Sequence, residues 1–254
     1  MNLDKKLIKQ RFSKALATYD DQSAIQALVG QHLLALLSKA GCANPQRVLE
    51  IGCCTGLFSQ RIVEHYPAIK ELWCNDLVER AEIPLREKLN YFEGNLVFLP
   101  GDVESLTLPK TMDLVISSST FHWFVDLETM LEKIRQILRP GSYLAFAMYG
   151  PDNLHEVRQL SGIGLKYPNP EELLVQVQRH FHVISYESRR EELWFPDVRA
   201  LLGHLRETGV NAVDKVVWTP KKLRSFINDY QTYFGGKDGV RATYHPIYYI
   251  LRSY

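Results

Sequence analysis

At 254 residues, 46% apolar and 23% charged, the chain suits one large soluble domain, or one domain carrying a sizeable insertion. A formal net charge of +1 gives no global reason to expect nucleic acid or an anionic membrane surface as partner. No uncharged apolar run is long enough to span a bilayer, and Met1-Asn2-Leu3-Asp4-Lys5-Lys6 is not followed by the apolar stretch of a signal peptide.

In chain order, residues 3–18 and 22–39 are predicted to be amphipathic helices. Leu3, Leu7, Ile8, Phe12, Ala15 and Leu16 recur at helical spacing in the first, and Ile25, Leu28, Val29, Leu33 and Leu36 in the second. Gly41 and Pro45 close this N-terminal unit, residues 1–40. From Gln46 strands alternate with helices. The strands are predicted at 47–51, 71–75, 96–99, 113–117 and 142–148, and the helices near 57–66, 78–91 and 126–138. Such alternation implies right-handed crossovers and a doubly wound, mostly parallel sheet in an α/β fold, over residues 46–150. Arg139-Pro140-Gly141 reads as a stop and turn before the fifth strand. Beyond Gly150-Pro151, residues 152–160 and 170–180 look helical, and His182 to Phe195 reads as one long strand ended by Pro196. Residues 197–236 read as a helical cap insertion, and Ala242 to Leu251 as a last strand with an edge or bulge at Pro246.

The first strand runs straight into Gly52-Cys53-Cys54-Thr55-Gly56 and then a helix, a turn that brings bare backbone N–H groups up to a ligand. The dinucleotide fingerprint would need glycines at 52, 54 and 57, but Cys54 and Leu57 stand at two of those positions. Glu50, two residues before Gly52, with Gly52 and Gly56 four apart, resembles instead the first motif of S-adenosylmethionine-dependent methyltransferases. Cys54 occupies the place of a third glycine there, so it must adopt a negative φ or carry strain. The cysteines at 42, 53, 54 and 74 form no C-x-x-C pair, which argues against a structural zinc site and a secreted disulfide framework and leaves a reducing cytoplasm as the expected compartment.

On that resemblance the cofactor lies across the carboxyl ends of the strands. Asp76, ending the second strand, is the candidate for the ribose hydroxyls, with Leu77 beside it. Asp102 is the candidate for the adenine amino group, with Val103 covering the ring. Glu50 would orient the loop that holds Gly52, Cys53 and Gly56, and the backbone near Ser117 and Ser118 would receive the cofactor's amino group. His122 is a weaker candidate for a base.

The resemblance narrows further along the chain. Arg11-Phe12-Ser13-Lys14-Ala15-Leu16-Ala17-Thr18-Tyr19-Asp20, Ser117 to Trp123, Gly150-Pro151-Asp152-Asn153-Leu154, Leu205-Arg206-Glu207-Thr208-Gly209-Val210-Asn211 and Thr243-Tyr244-His245-Pro246-Ile247-Tyr248 are similar to segments of the malonyl-acyl-carrier-protein O-methyltransferases of biotin synthesis. That family implies a Rossmann-like, seven-stranded sheet whose last strand is antiparallel. It also implies methyl transfer from S-adenosylmethionine to the free carboxylate of a malonyl thioester, with acyl carrier protein (or coenzyme A) as the bearer. Tyr19 is then the first candidate for closing the site, Gln26 a weaker one, and Arg199 or Arg206 a clamp on the carboxylate. Lys221-Lys222-Leu223-Arg224 or Arg189-Arg190 would receive the carrier. The alternatives are methylation of another small acid or a quinone, and a non-catalytic cofactor-binding assembly module.

Overall fold

The structure, a computed structural model, describes residues 3–208 and 219–254. The larger sheet is built from β1 (Arg47–Ile51), β2 (Glu71–Asp76), β3 (Asn95–Pro100), β4 (Met112–Ser118), β5 (Leu138–Tyr149), β6 (His182–Ser188) and β10 (Pro246–Arg252). Its order is β3-β2-β1-β4-β5-β10-β6. The first five strands are parallel, as the alternation requires, and β10 runs antiparallel between β5 and β6. The strands β7 (Glu191–Phe195), β8 (Gly235–Gly236) and β9 (Gly239–Tyr244) form a small antiparallel sheet of their own.

Because side chains alternate across a strand, the central strands feed two cores. Val48, Leu114 and Ile116 join the helices α3 (Ala24–Lys39), α4 (Leu57–His65) and α5 (Glu82–Lys88) on one face. Leu49, Ile51 and Val115 join α6 (Leu127–Ile137) and α8 (Pro170–Gln178) on the other. The helix α6 shows how the local sequence sets this up. Asp126 caps it by accepting from the Thr129 N–H at 3.0 Å, and Met130, Leu131, Ile134 and Ile137 fall on the buried side. Such a cap is worth about 1 kcal/mol, and each buried large side chain about 1.5–3 kcal/mol. Around the small sheet pack α7 (His155–Ser161), α9 (Val198–Glu207) and α10 (Pro220–Phe234), while α1 (Lys5–Ala15) and α2 (Tyr19–Gln22) lie against α9.

Several boundaries differ from the sequence expectation. The long strand at 182–195 breaks at Arg189-Arg190, sending β6 to the edge of the main sheet and β7 to the small one. Ala242 to Leu251 likewise divides at His245, so β10 begins on Pro246, where a missing N–H costs least, and lies inside the sheet, not at its edge. Arg139-Pro140-Gly141 sits within β5 as an irregular register step, with Met112 opposite Leu138 but Leu114 opposite Tyr143. The helix expected at 78–91 is shorter, a 3-10 turn at Glu79–Ala81 followed by α5. The leader holds three helices instead of two. Its last, α3, is core, with Ile25, Leu33 and Leu37 fully buried. The segment Gly209-Val210-Asn211 and part of the expected cap lie outside the described residues.

Candidate active site

The carboxyl ends of β1 to β4 open onto a cleft of about 690 Å³, covered by the leader. The turn after β1 forms its floor. Gly52 has φ +81, and a Cβ there would lie 2.0 Å from Thr120 Oγ1; Gly56 has φ +84 and would bring a Cβ to 3.0 Å from the Leu85 backbone. Cys54 takes the strained alternative, φ +47, which costs a side-chain-bearing residue about 1–2 kcal/mol. Its N–H is held by Asp76 Oδ2 at 2.8 Å. The N–H groups of Gly52 and Cys53 both donate to the Asn75 carbonyl at 2.9 Å, and that of Gly56 to Cys53 at 2.8 Å. The turn therefore spends these donors on itself, contrary to the expectation of bare N–H groups, and offers close backbone approach instead.

Asp76 ends β2 and lines the cleft, its second oxygen accepting from the Val78 N–H at 2.8 Å. Behind the turn, Glu50 is 1% exposed and accepts from Ser59 Oγ on α4 and weakly from Cys74 Sγ, while its Oε1 is buried without a partner. Burial pushes Glu50 up to about 7 and Asp76 up to about 6, and the hydrogen bonds to each oppose the shift only in part. Unfolded, both titrate near 4. Between roughly pH 4 and 7 the folded chain thus holds protons that the unfolded chain has lost, and stability falls as pH rises through that window. Without cofactor, the wild type is expected to lose about 2–4 kcal/mol from pH 5 to pH 8, and Glu50→Gln about half of that or less. Urea midpoints at the two pH values check this; equal losses would remove Glu50 as the cause.

Asp102 sits after β3 and also lines the cleft, accepting from the Glu104 N–H at 3.2 Å. Its carboxylate pairs with Lys5 of α1 at 3.2 Å, and Lys5 also reaches Glu104. Leu77, Val78 and Val103 supply apolar wall. Lys9 pairs with Glu79, and Asp20 of α2 pairs with Lys88 at 2.6 Å and accepts from Thr55 Oγ1. Ile8 and Phe12 add an apolar contact with Trp123, the Phe12 and Trp123 rings meeting edge-on at 5.9 Å. The helices α1 and α2 are thereby fastened over the cleft, with Lys5, Ile8, Phe12 and Tyr19 among its lining.

Tyr19 is half-buried between the main cleft and a side recess, and burial pushes its hydroxyl well above the usual phenol range. That recess also holds Cys53, Ser118 and Gln26. The Ser118 Oγ and Gln26 Oε1 atoms are buried there with no partner in the protein. Ser117 is different: fully buried, its hydroxyl donates to the Ile51 carbonyl at 2.7 Å and ties β4 to β1. Arg199 and Arg206 are exposed on α9 and do not line the cleft or the recess, so neither is brought to the other candidates. Arg189 is paired with Glu187 and Arg190 with Asp152, whereas Lys221, Lys222 and Arg224 are exposed on the first turns of α10. The residues that sequence reasoning missed are Lys5, Thr120 and Trp123. An amphipathic leader with no assigned partner for its Ile8–Phe12 face was the available signal. Among the described residues no group of three or more His, Cys, Asp or Glu side chains could hold a metal ion.

Two carboxylates at or just beyond strand ends, a tight turn and, in the side recess, unpartnered buried oxygens are the kinds of group that S-adenosylmethionine, with its ribose diol, adenine and amino-acid end, requires. The fold is that of a class I methyltransferase, a Rossmann-like binder of that molecule. Comparison with known proteins agrees. Residues 49–146 match the family described as the methyltransferase domain. The chain is 35% identical over 252 residues to a malonyl-acyl-carrier-protein O-methyltransferase of Chlorobium phaeovibrioides, covering 98% of this chain and 96% of that one. It is 34% identical to the enzyme of the same name from Calditerrivibrio nitroreducens, covering 96% and 95%. The N-methyltransferase NodS of Bradyrhizobium japonicum, solved with S-adenosyl-L-homocysteine, shares the fold with a TM-score of 0.60 at 14% identity, over 97% of this chain and 98% of that one. The chain belongs to the malonyl-acyl-carrier-protein O-methyltransferase family of class I methyltransferases.

Proposed function

We propose that the protein methylates the free carboxylate of a malonyl thioester on acyl carrier protein, or on coenzyme A, giving the methyl ester that primes pimeloyl and biotin synthesis in the cytoplasm. The observation that carries this reading is similarity to the family over 98% of the chain, well beyond the 49–146 methyltransferase domain and through the leader and the region after β5.

S-adenosylmethionine, when bound, supplies a methyl group on a positive sulfur. Asp76 would accept from the ribose hydroxyls and Asp102 from the adenine amino group, with Leu77 and Val103 against the ring. Gln26 and Ser118 would satisfy their orphaned oxygens on the amino-acid end, and Gly52, Cys53 and Gly56 would keep the backbone close. Tyr19 closes the cleft, and Phe12 with Trp123 keeps water out, which strengthens every electrostatic contact inside.

A carboxylate is already ionised at neutral pH and needs no general base. His122 supports this choice of substrate over a phenol or a ring carbon. Burial pushes it down to about 3, so it is a poor proton acceptor at neutral pH. For the carrier we favour the exposed Lys221, Lys222 and Arg224 as docking residues, since Arg189 and Arg190 are already neutralised. Mass spectrometry of malonyl carrier protein incubated with the protein and S-adenosylmethionine tests the reading. A gain of one methylene unit, absent with acetyl carrier, is expected; cofactor binding without that gain would return the substrate to the small-acid and quinone alternatives.

A further inference from the structure

We propose that Ser119, His122, Tyr149 and Tyr167 form the pocket for the substrate carboxylate, beside the cofactor cleft, and hold it by hydroxyl and imidazole hydrogen bonds instead of an arginine. The proposal rests on the carboxylate-methylation reading above and names the residues that would serve it.

Topology points to this place. The cofactor candidates Gly52, Asp76 and Asp102 stand at or just beyond the ends of β1, β2 and β3, so the free strand ends on the other side of β1 are those of β4 and β5. Ser119 follows β4 and Tyr149 ends β5. Ser119 has φ +61, a left-handed conformation that a serine keeps only when its surroundings impose it. Its N–H is tied to the Ala147 carbonyl at 2.9 Å, and its hydroxyl lies 3.4 Å from the Tyr149 hydroxyl. The His122 ring is 5.3 Å from the Tyr149 ring and 6.2 Å from the Tyr167 ring, and its Nδ1 is buried with no partner. Tyr167 accepts from Asn153 Nδ2 at 2.9 Å, and Tyr149 accepts from Ser119, so each phenol keeps its own proton to give. Ser119 lines the cofactor cleft, whereas His122 and Tyr167 line an adjoining cavity that shares Phe124 with it.

The chemistry suits esterification. Burial pushes Tyr167 up to about 12, raises Tyr149 and pushes His122 down to about 3, so all three are uncharged at neutral pH. Arg158, the guanidinium 5.6 Å from the Tyr167 ring centre, turns its two terminal nitrogens to the Leu165 and Pro151 carbonyls, while its buried Nε has no partner in the protein. As the carboxylate oxygen bonds to the methyl carbon, the C–S bond pair returns to sulfur, both charges vanish and no proton moves. A buried arginine clamp would favour the charged reactant and be stranded by the neutral product, whereas hydroxyl donors can bond to either.

The test uses the full protein loaded with S-adenosylhomocysteine, which binds without turnover, and malonyl-coenzyme A as titrant. Tyr149→Phe and Tyr167→Phe are each expected to weaken malonyl-coenzyme A binding about tenfold, the cost of a hydrogen bond to a charged group, with cofactor-product affinity unchanged. Wild-type binding that both variants match would overturn the proposal. Wild-type protein that binds S-adenosylhomocysteine but neither malonyl-coenzyme A nor malonyl carrier protein would instead sink the substrate reading, and this inference with it.

Discussion

Asp76→Ala is expected to raise the dissociation constant for S-adenosylmethionine by about 100-fold or more, since hydrogen bonds to a charged acceptor are worth about 1.5–3 kcal/mol each. One carboxylate would do two jobs here. It receives the N–H of Cys54 from the turn after β1 and the N–H of Val78 from the segment after β2, both at 2.8 Å. It would also receive the ribose hydroxyls. Removing it frees the N–H of a strained cysteine and would leave the ligand without its acceptor. Calorimetry on the folded variant, with a melting curve alongside, checks this. A change under threefold would mean that Asp76 serves the turn alone.

Gly52→Ala is expected to cost about 2–4 kcal/mol of folding stability, through a forced left-handed residue and a close clash, and to abolish cofactor binding. The new Cβ would lie 2.0 Å from the Thr120 hydroxyl oxygen and 2.8 Å from Thr120 Cβ, so turning the Thr120 side chain does not clear it. Two residues on, the sign reverses. Cys54 already holds φ +47, and Cys54→Gly should stabilise the protein by about 1 kcal/mol. Denaturant midpoints for the two variants must move in opposite directions. If both fall, the backbone at Cys54 is not strained and its side chain packs more than the conformation costs.

The parallel core was legible because its signals are local. Val48 to Ile51, apolar but for Glu50, and the apolar run Leu114 to Ile116 are each followed by turn residues and a helix with a period of its own. The strand breaks at Arg189-Arg190 and His245 were not legible. On either side of each, the sequence stays β-prone, and the choice between the main sheet and the small one is made by partners far away in the chain, Pro246–Arg252 for β6 and Gly239–Tyr244 for β7. The candidate site divides along the same line. Gly52, Asp76 and Asp102 stand at strand ends, where a sequence pattern can find them. Lys5, Trp123 and the hydroxyl cluster around Tyr149 meet only through tertiary contacts. Arg199, expected at the pocket from its place in the cap segment, is exposed to solvent and lines neither cleft nor recess, while Val198 and Leu201 of the same helix are buried.

The fastening of α1 and α2 governs traffic as well as shelter. Lys5, Ile8, Phe12 and Tyr19 form part of the cleft's own wall, so the position of these helices sets how wide a path donor and spent donor have. If the helices lift during turnover, the Lys5, Lys9 and Asp20 pairs break with them, and these pairs are partly open to solvent and therefore screened by salt. The residence time of the spent donor should shorten as ionic strength rises, and if its departure is the slow step, turnover should quicken with it until capture of fresh donor weakens. The optimum salt concentration of this enzyme would then be a property of its first twenty residues more than of its catalytic groups.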